Sequence, residues 1–142
     1  GPAALAFGLL KQGVYIPQTT IVKETKTTKT DGVDPSSLIS FVKKHGMKTT
    51  VYRNGNPQTT LATLGVLAKK GKSIIVDYLA GNTFSDGHYV VFQGISGDTI
   101  KIFDPSLGKL TDIKKNYFIK HWKDKTEAGT VFKNWALVFG NP

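Results

Sequence analysis

The residue pattern predicts an α+β domain, and three observations carry that reading. Apolar residues recur at helical spacing in the first half of the chain, at Leu5 and Leu9, from Leu38 to Val42, and from Leu61 to Ala68. The second half changes period, with strand-like runs at Ser73 to Leu79, His88 to Ile95, Thr99 to Phe103 and Trp135 to Phe139. Only the tight turn Gly97-Asp98 separates two of these runs, so they form an antiparallel hairpin. Helices first and an antiparallel sheet after them is the α+β arrangement. The length, 142 residues, fits a single domain spanning 1–142, large enough to bury roughly 70% of its unfolded surface.

Each element has a local cause. Pro2 suits the first position of a helix and Ala3 to Leu10 are good helix formers, which predicts a helix over 2–12 ended by Gly13. Its apolar residues cover nearly every face, so this helix is buried, with Leu5 and Leu9 against the sheet. A domain that opens directly on a buried helix is expected to be truncated at its N-terminus. Residues 17–31 are polar and Thr-rich and read as a surface connection with one turn of helix at 18–24. Asp34 caps the next helix and Pro35 takes its first position; Lys43, Lys44 and His45 complement its C-terminal dipole, and Gly46 stops it. Met47 to Tyr52 alternates as a short strand, Arg53 to Pro57 is a turn, and Leu61, Leu64, Leu67 and Ala68 mark a helix ended by Gly71. Ala80 to Gly87 reads as a polar loop, and Asp104-Pro105 breaks the strand that begins at Thr99. Ile113, Tyr117, Phe118 and Trp122 stand at helical spacing and predict a helix over 113–122.

Composition narrows the chemistry. The chain has no cysteine, which excludes a disulfide scaffold, a Cys-ligated zinc site, an iron–sulfur cluster and a cysteine nucleophile within these residues. No cofactor and no metal ion is expected. No stretch approaches the roughly 18 apolar residues of a membrane span. The 19 Lys+Arg against 10 Asp+Glu give a net charge of +9. The lysines are spread along the chain and Arg53 is the one arginine, whereas readers of bases and phosphates cluster arginines. A solvated basic surface is therefore expected, not a nucleic-acid site.

Three histidines are the groups that titrate near neutral pH. His45 falls at a helix C-terminus and His121 on the Phe118/Trp122 segment, and both have structural explanations. His88 opens a strongly apolar strand, and the strand that returns through the Gly97-Asp98 turn ends at Asp104. The hairpin sets His88 and Asp104 side by side at its open end. A histidine beside a carboxylate is the orienting pair of nucleophilic hydrolases, because the carboxylate fixes the tautomer and stabilises the imidazolium. It is equally an ordinary polar pair at a hairpin mouth, and the pattern alone leaves both readings open.

A set of short motifs, in order, resembles one family. Gly1-Pro2-Ala3-Ala4-Leu5-Ala6 is similar to the segment directly after the nucleophile of the bacteriocin-processing cysteine peptidases, the papain-like domains that remove double-glycine leader peptides at the front of certain ABC exporters. Asp31-Gly32-Val33, Lys44-His45-Gly46-Met47, Lys70-Gly71-Lys72, Gly87-His88-Tyr89-Val90-Val91, Asp104-Pro105 with Gly108, and Tyr117-Phe118 with Trp122 come next, in the family's order. The resemblance implies a papain-like fold, with His88 as general base and Asp104 as the residue that orients it. It implies a cysteine nucleophile immediately before Gly1 and an oxyanion-hole glutamine further upstream; neither is among these residues, and Gln12 and Gln18 do not match the latter. The expected full-length activity is hydrolysis of peptide bonds after small residues such as Gly-Gly, with this chain inactive. Three accounts of the missing cysteine stand side by side: truncation just after it, a protease-tag scar at Gly1-Pro2, or a natural non-peptidase member that holds peptides for an exporter. The expected partner is a peptide or protein substrate, within a larger multidomain protein. A catalytically degenerate peptide-binding module is the alternative function, and a basic domain for anionic partners a third. The compartment would be cytoplasmic for an exporter-linked domain and extracellular or envelope-bound for a free-standing one.

Overall fold

The computed structural model describes residues 1–28 and 32–142; Lys29, Thr30 and Asp31, the last of these part of the Asp31-Gly32-Val33 motif, lie outside the described residues. The elements run α1 (Pro2–Lys11), α2 (Gln18–Thr25), α3 (Pro35–Lys44), β1 (Lys48–Tyr52), α4 (Pro57–Lys69), β2 (Ser73–Leu79), β3 (Gly87–Ser96), β4 (Thr99–Asp104), β5 (Lys109–Lys114), α5 (Lys115–His121), β6 (Lys123–Lys125), β7 (Val131–Lys133) and β8 (Ala136–Gly140). Six strands form one sheet in the order β1-β8-β2-β3-β4-β5, and β6 pairs with β7 in a separate ribbon. Every neighbouring pair in the six-stranded sheet is antiparallel.

The sheet is covered on both faces. Alternate residues of a strand point to opposite sides, and here they sort into two cores. Ile75, Val91, Leu137 and Phe139 pack with Leu5 and Leu9 of α1, Ile21 of α2 and Leu38 and Phe41 of α3. Ile74, Val76, Tyr78, Val90, Phe92 and Val138 pack with Leu61 and Leu64 of α4 and with Phe118 and Trp122. All of β2 is buried as a result. The α1 helix lies very close to the strands. Ser73 Oγ donates to Gly8 O at 2.6 Å, a methyl group on Gly8 would come 2.8 Å from Phe139 Cζ, and the Phe7 ring stacks on Phe103 at 3.9 Å.

Two expectations change. The connection at 17–31 contains an eight-residue helix, α2, rather than one turn. Its Thr-rich sequence favours helix weakly, but Ile21 is completely buried between α1 and α3 and Thr25 Oγ1 bonds back to Ile21 O at 2.6 Å. The helix expected over 113–122 is a strand followed by a shorter helix. Ile113 belongs to β5, opposite Ile100 of β4, and α5 starts at Lys115; the helical spacing of the apolar residues spans a strand–helix junction by coincidence. The β6–β7 ribbon has no clear sequence signature, because its strands are three residues each and only Phe132 in them is buried. The polar loop 80–87 holds a single 3-10 turn at Phe84–Asp86.

Since Leu9 is fully buried in the α1-side core, Leu9→Ala is expected to cost about 2–5 kcal/mol. Urea unfolding of the two proteins measures this; a loss under about 1 kcal/mol would mean that α1 is not a central packing element.

Candidate active site

The β3–β4 hairpin builds the predicted pair. Ser96 faces Thr99 across the Gly97-Asp98 turn, and after a bulge between Phe92 and Gly94 the register continues to Val91 opposite Phe103. His88 and Asp104, sixteen residues apart, therefore meet at the open end, with His88 Nε2 2.7 Å from Asp104 Oδ1. The same oxygen accepts from Ser106 N at 2.9 Å and Ser106 Oγ at 2.7 Å. Burial alone raises the Asp104 carboxyl, but the Ser106 and His88 hydrogen bonds outweigh it and hold the group below its ordinary value. An ionised carboxylate only accepts, so the contact places the ring proton on Nε2 and leaves the lone pair on Nδ1. The side chain of Asp104 is 10% exposed and that of His88 24%, so the carboxylate is shielded while the ring keeps an open edge.

His88 lines a cavity of about 540 Å³ that also reaches Gly1, at the N-terminus of α1, and passes Val33, Pro35, Phe84 and Gly87. No side chain caps α1 at this end. The positive end of the helix dipole therefore borders the cavity at Gly1, an arrangement that stabilises an anion such as a thiolate. His45 and His121 lie elsewhere. His45 follows α3, with Nε2 3.7 Å from Glu24 and its ring 4.5 Å from that of Phe41. The buried His121 ring contacts Gly81 O at 3.0 Å and stacks on Tyr117. Gln12 is at the far end of α1, where it donates to Gly71 O and Ser73 Oγ, and Gln18 opens α2.

Sequence reasoning missed three polar residues at this site. Ser106 completes the Asp104 shell, and its signal was the Asp104-Pro105-Ser106 run, which suits a side-chain-to-backbone turn. Asp77 stands within the otherwise apolar run of β2; it is 1% exposed, and its Oδ1 has no hydrogen-bond partner among the described residues. Its carboxyl lies against that of Asp124 and against the backbone N–H of His88. Burial first, and the Asp124 carboxyl second, raise Asp77 far above the carboxylate range, so it is protonated at neutral pH. Asp124 had no signal of its own, since only the ribbon brings it to β2.

A strand-borne histidine held by a carboxylate, sharing a cavity with the N-terminus of a buried helix, is the frame on which papain-like cysteine peptidases work, and this fold defines a domain of that type. The chain belongs to the peptidase C39 family, whose sequence model matches residues 1–127. Two solved structures show the same fold. One is the peptidase domain of Streptococcus ComA, a bi-functional ABC transporter involved in a quorum-sensing pathway, with a TM-score of 0.75 at 22% identity, covering 99% of this chain and 90% of that one. The other is a double glycine motif protease from an AMS/PCAT transporter in complex with the leader peptide, with a TM-score of 0.72 at 18% identity, covering 99% of this chain and 83% of that one. No curated protein matches the chain. With no cysteine among its 142 residues, the chain lacks the thiol on which this type of hydrolysis depends.

The raised Asp77 carboxyl makes a signed prediction. The folded state binds this proton more tightly than the unfolded chain, so its stability contribution is full below the unfolded carboxyl value of about 3.9 and is lost as pH rises toward the folded value. Asp77→Asn keeps a donor for Asp124 without the ionisation. Its melting temperature is expected to match wild type near pH 4 and to exceed it increasingly from pH 6 to 8. Parallel pH profiles for the two proteins would contradict the assignment.

Proposed function

We propose that His88 is the general base and Asp104 the orienting residue of a cysteine-peptidase site, and that an extended peptide lies along the Gly1–His88 cavity. The observation that carries this reading is the 2.7 Å contact between His88 Nε2 and Asp104 Oδ1, because it leaves Nδ1 free to accept a proton. In a complete site the thiol sits at the N-terminus of α1, where the helix dipole lowers its pKa. His88 Nδ1 takes the thiol proton, and the thiolate attacks the scissile carbonyl. The same nitrogen then protonates the departing amine, and water releases the acyl group. The leader peptide bound to the double glycine motif protease of similar fold supports a substrate cut after small residues such as Gly-Gly. The ComA peptidase domain, part of a bi-functional transporter, supports placing residues 1–142 as one domain of a larger polypeptide.

A second reading, a module that holds a peptide and releases it intact, is favoured for the 142 residues as they stand by the absence of cysteine. No helix among the described residues is long and apolar enough to cross a membrane.

Adding Ser-Cys before Gly1 tests the roles. The new thiol is expected to react with iodoacetamide at pH 6.5 at least about tenfold faster than free cysteine, because His88 and the helix dipole stabilise the thiolate. His88→Ala should remove most of that advantage, and Asp104→Asn part of it, with circular dichroism unchanged. A thiol equally reactive with His88→Ala would show that His88 is not its base.

A further inference from the structure

Beyond His88, the cavity is lined with acid. The chain carries a net charge of +9, yet this wall holds Asp34, Asp77, Asp124 and Glu127 against Lys125, its one lysine, and the Gly1 amino group, whose burial lowers its pKa to about 6. Lys125 does not neutralise them. Its ammonium stands over the Phe84 ring, 5.6 Å from the centroid, and none of the ion pairs among the described residues joins it to these acids. Asp34, Asp77 and Asp124 act on one hydroxyl: burial first, then the Asp77, Asp124 and Asp34 carboxyls, push Tyr89 up. Gly87 allows Asp124 to approach, since a Cβ there would lie 2.9 Å from its Cγ.

The unpartnered Asp77 Oδ1 is the second observation. It belongs to a side chain that is 1% exposed and lines the cavity. A buried carboxyl oxygen without a donor is costly. A donor reaching it through the cavity would satisfy it, and the surrounding acids favour one that is positively charged. Among the described residues no group of three or more His, Cys, Asp or Glu side chains is placed to hold a metal ion, which directs the site to an organic cation.

We propose that this wall is a subsite for a lysine ammonium or arginine guanidinium of the bound peptide, held by Asp77 and Asp124, with Asp34 and Glu127 drawing it in. The inference rests on the peptide-binding reading above and adds the class of side chain that the peptide carries. The protein's own net charge of +9 opposes cationic peptides on average, so affinity for one has to come from a local acidic site such as this wall.

Fluorescence anisotropy on the 142-residue chain tests it, with fluorescein-labelled peptides of sequence Ala-Ala-Gly-Gly-Ala-Ala in which each alanine in turn is replaced by lysine or by norleucine. At one position the lysine peptide is expected to bind about tenfold more tightly than its norleucine partner. Asp124→Asn should erase most of that preference and leave the norleucine peptide within about twofold of wild type. Glu127→Gln, an exposed change that spares the fold, should weaken only the lysine peptide, by about two- to threefold. Equal affinity for lysine and norleucine at every position would overturn the subsite while leaving a peptide cleft. A preference untouched by both variants would also overturn it. If no peptide of either kind binds, the peptide-binding reading itself fails and the subsite falls with it.

Discussion

Burial of β2, and of the centre of β3 at Val90–Phe92, on both faces is the constraint on which the rest of the structure depends. The α1–α3 layer covers one side and α4 with α5 the other, so β2 and the centre of β3 have no solvent face on which a polar residue can rest. Successive side chains point to opposite sides. Asp77 and its strand partner Tyr89 therefore face the α1 side, while Tyr78 and its partner His88 face the other. A slip of one residue would send His88 into the α1-side core and Asp77 among the aromatics of α5. The register is held by the apolar residues between, and the polar ones survive only at the strand ends, where a cavity meets them. Polar groups that the fold cannot expose must be neutral or bonded. Asp77 meets the first condition by keeping its proton, and Asp104 meets the second with three donors on one oxygen.

That difference between two buried aspartates separates their chemistry. Asp104 is ionised because Ser106 and His88 aim N–H and O–H groups at it, and an ionised acceptor commits the imidazole to one tautomer. Asp77 sits 1% exposed beside a second carboxyl, with no side-chain donor of that kind, so its environment favours the neutral acid. One cavity is thus bordered by a histidine held by an ionised carboxylate and by a neutral carboxyl. The N-terminus of α1 adds positive potential at a third point on the same wall.

Much of this was legible in the sequence, for identifiable reasons. The Gly97-Asp98 turn fixes a hairpin of known geometry, and counting back along its strands is enough to place His88 against Asp104. Gly13 and Gly46 end their helices with φ of +81° and +82°, a conformation that glycine alone adopts freely. What stayed hidden depends on contacts distant in sequence. Ile21 stabilises α2 only because α1 and α3 close over it. The start of α5 could not be separated from β5, since Ile113 satisfies a strand pairing and a helical period at once. Asp124 reaches the cavity through a ribbon of two three-residue strands with little apolar pattern, so nothing local marked it as a neighbour of Asp77. The α+β class was readable, but not that helices cover both faces of the sheet, because a buried strand such as β2 looks the same whichever layer lies above it.

The central claim is that Asp104 holds the His88 ring with its proton on Nε2 and its lone pair on Nδ1. Long-range ¹H–¹⁵N correlation spectra of the chain, labelled on the histidine ring nitrogens and recorded about one pH unit above the midpoint of the His88 titration, observe this directly. The account predicts a protonated Nε2 and an unprotonated Nδ1 for His88, with the two forms mixing in Asp104→Asn. A His88 ring protonated on Nδ1 in the wild-type protein, or one whose tautomer is unaffected by Asp104→Asn, would contradict it.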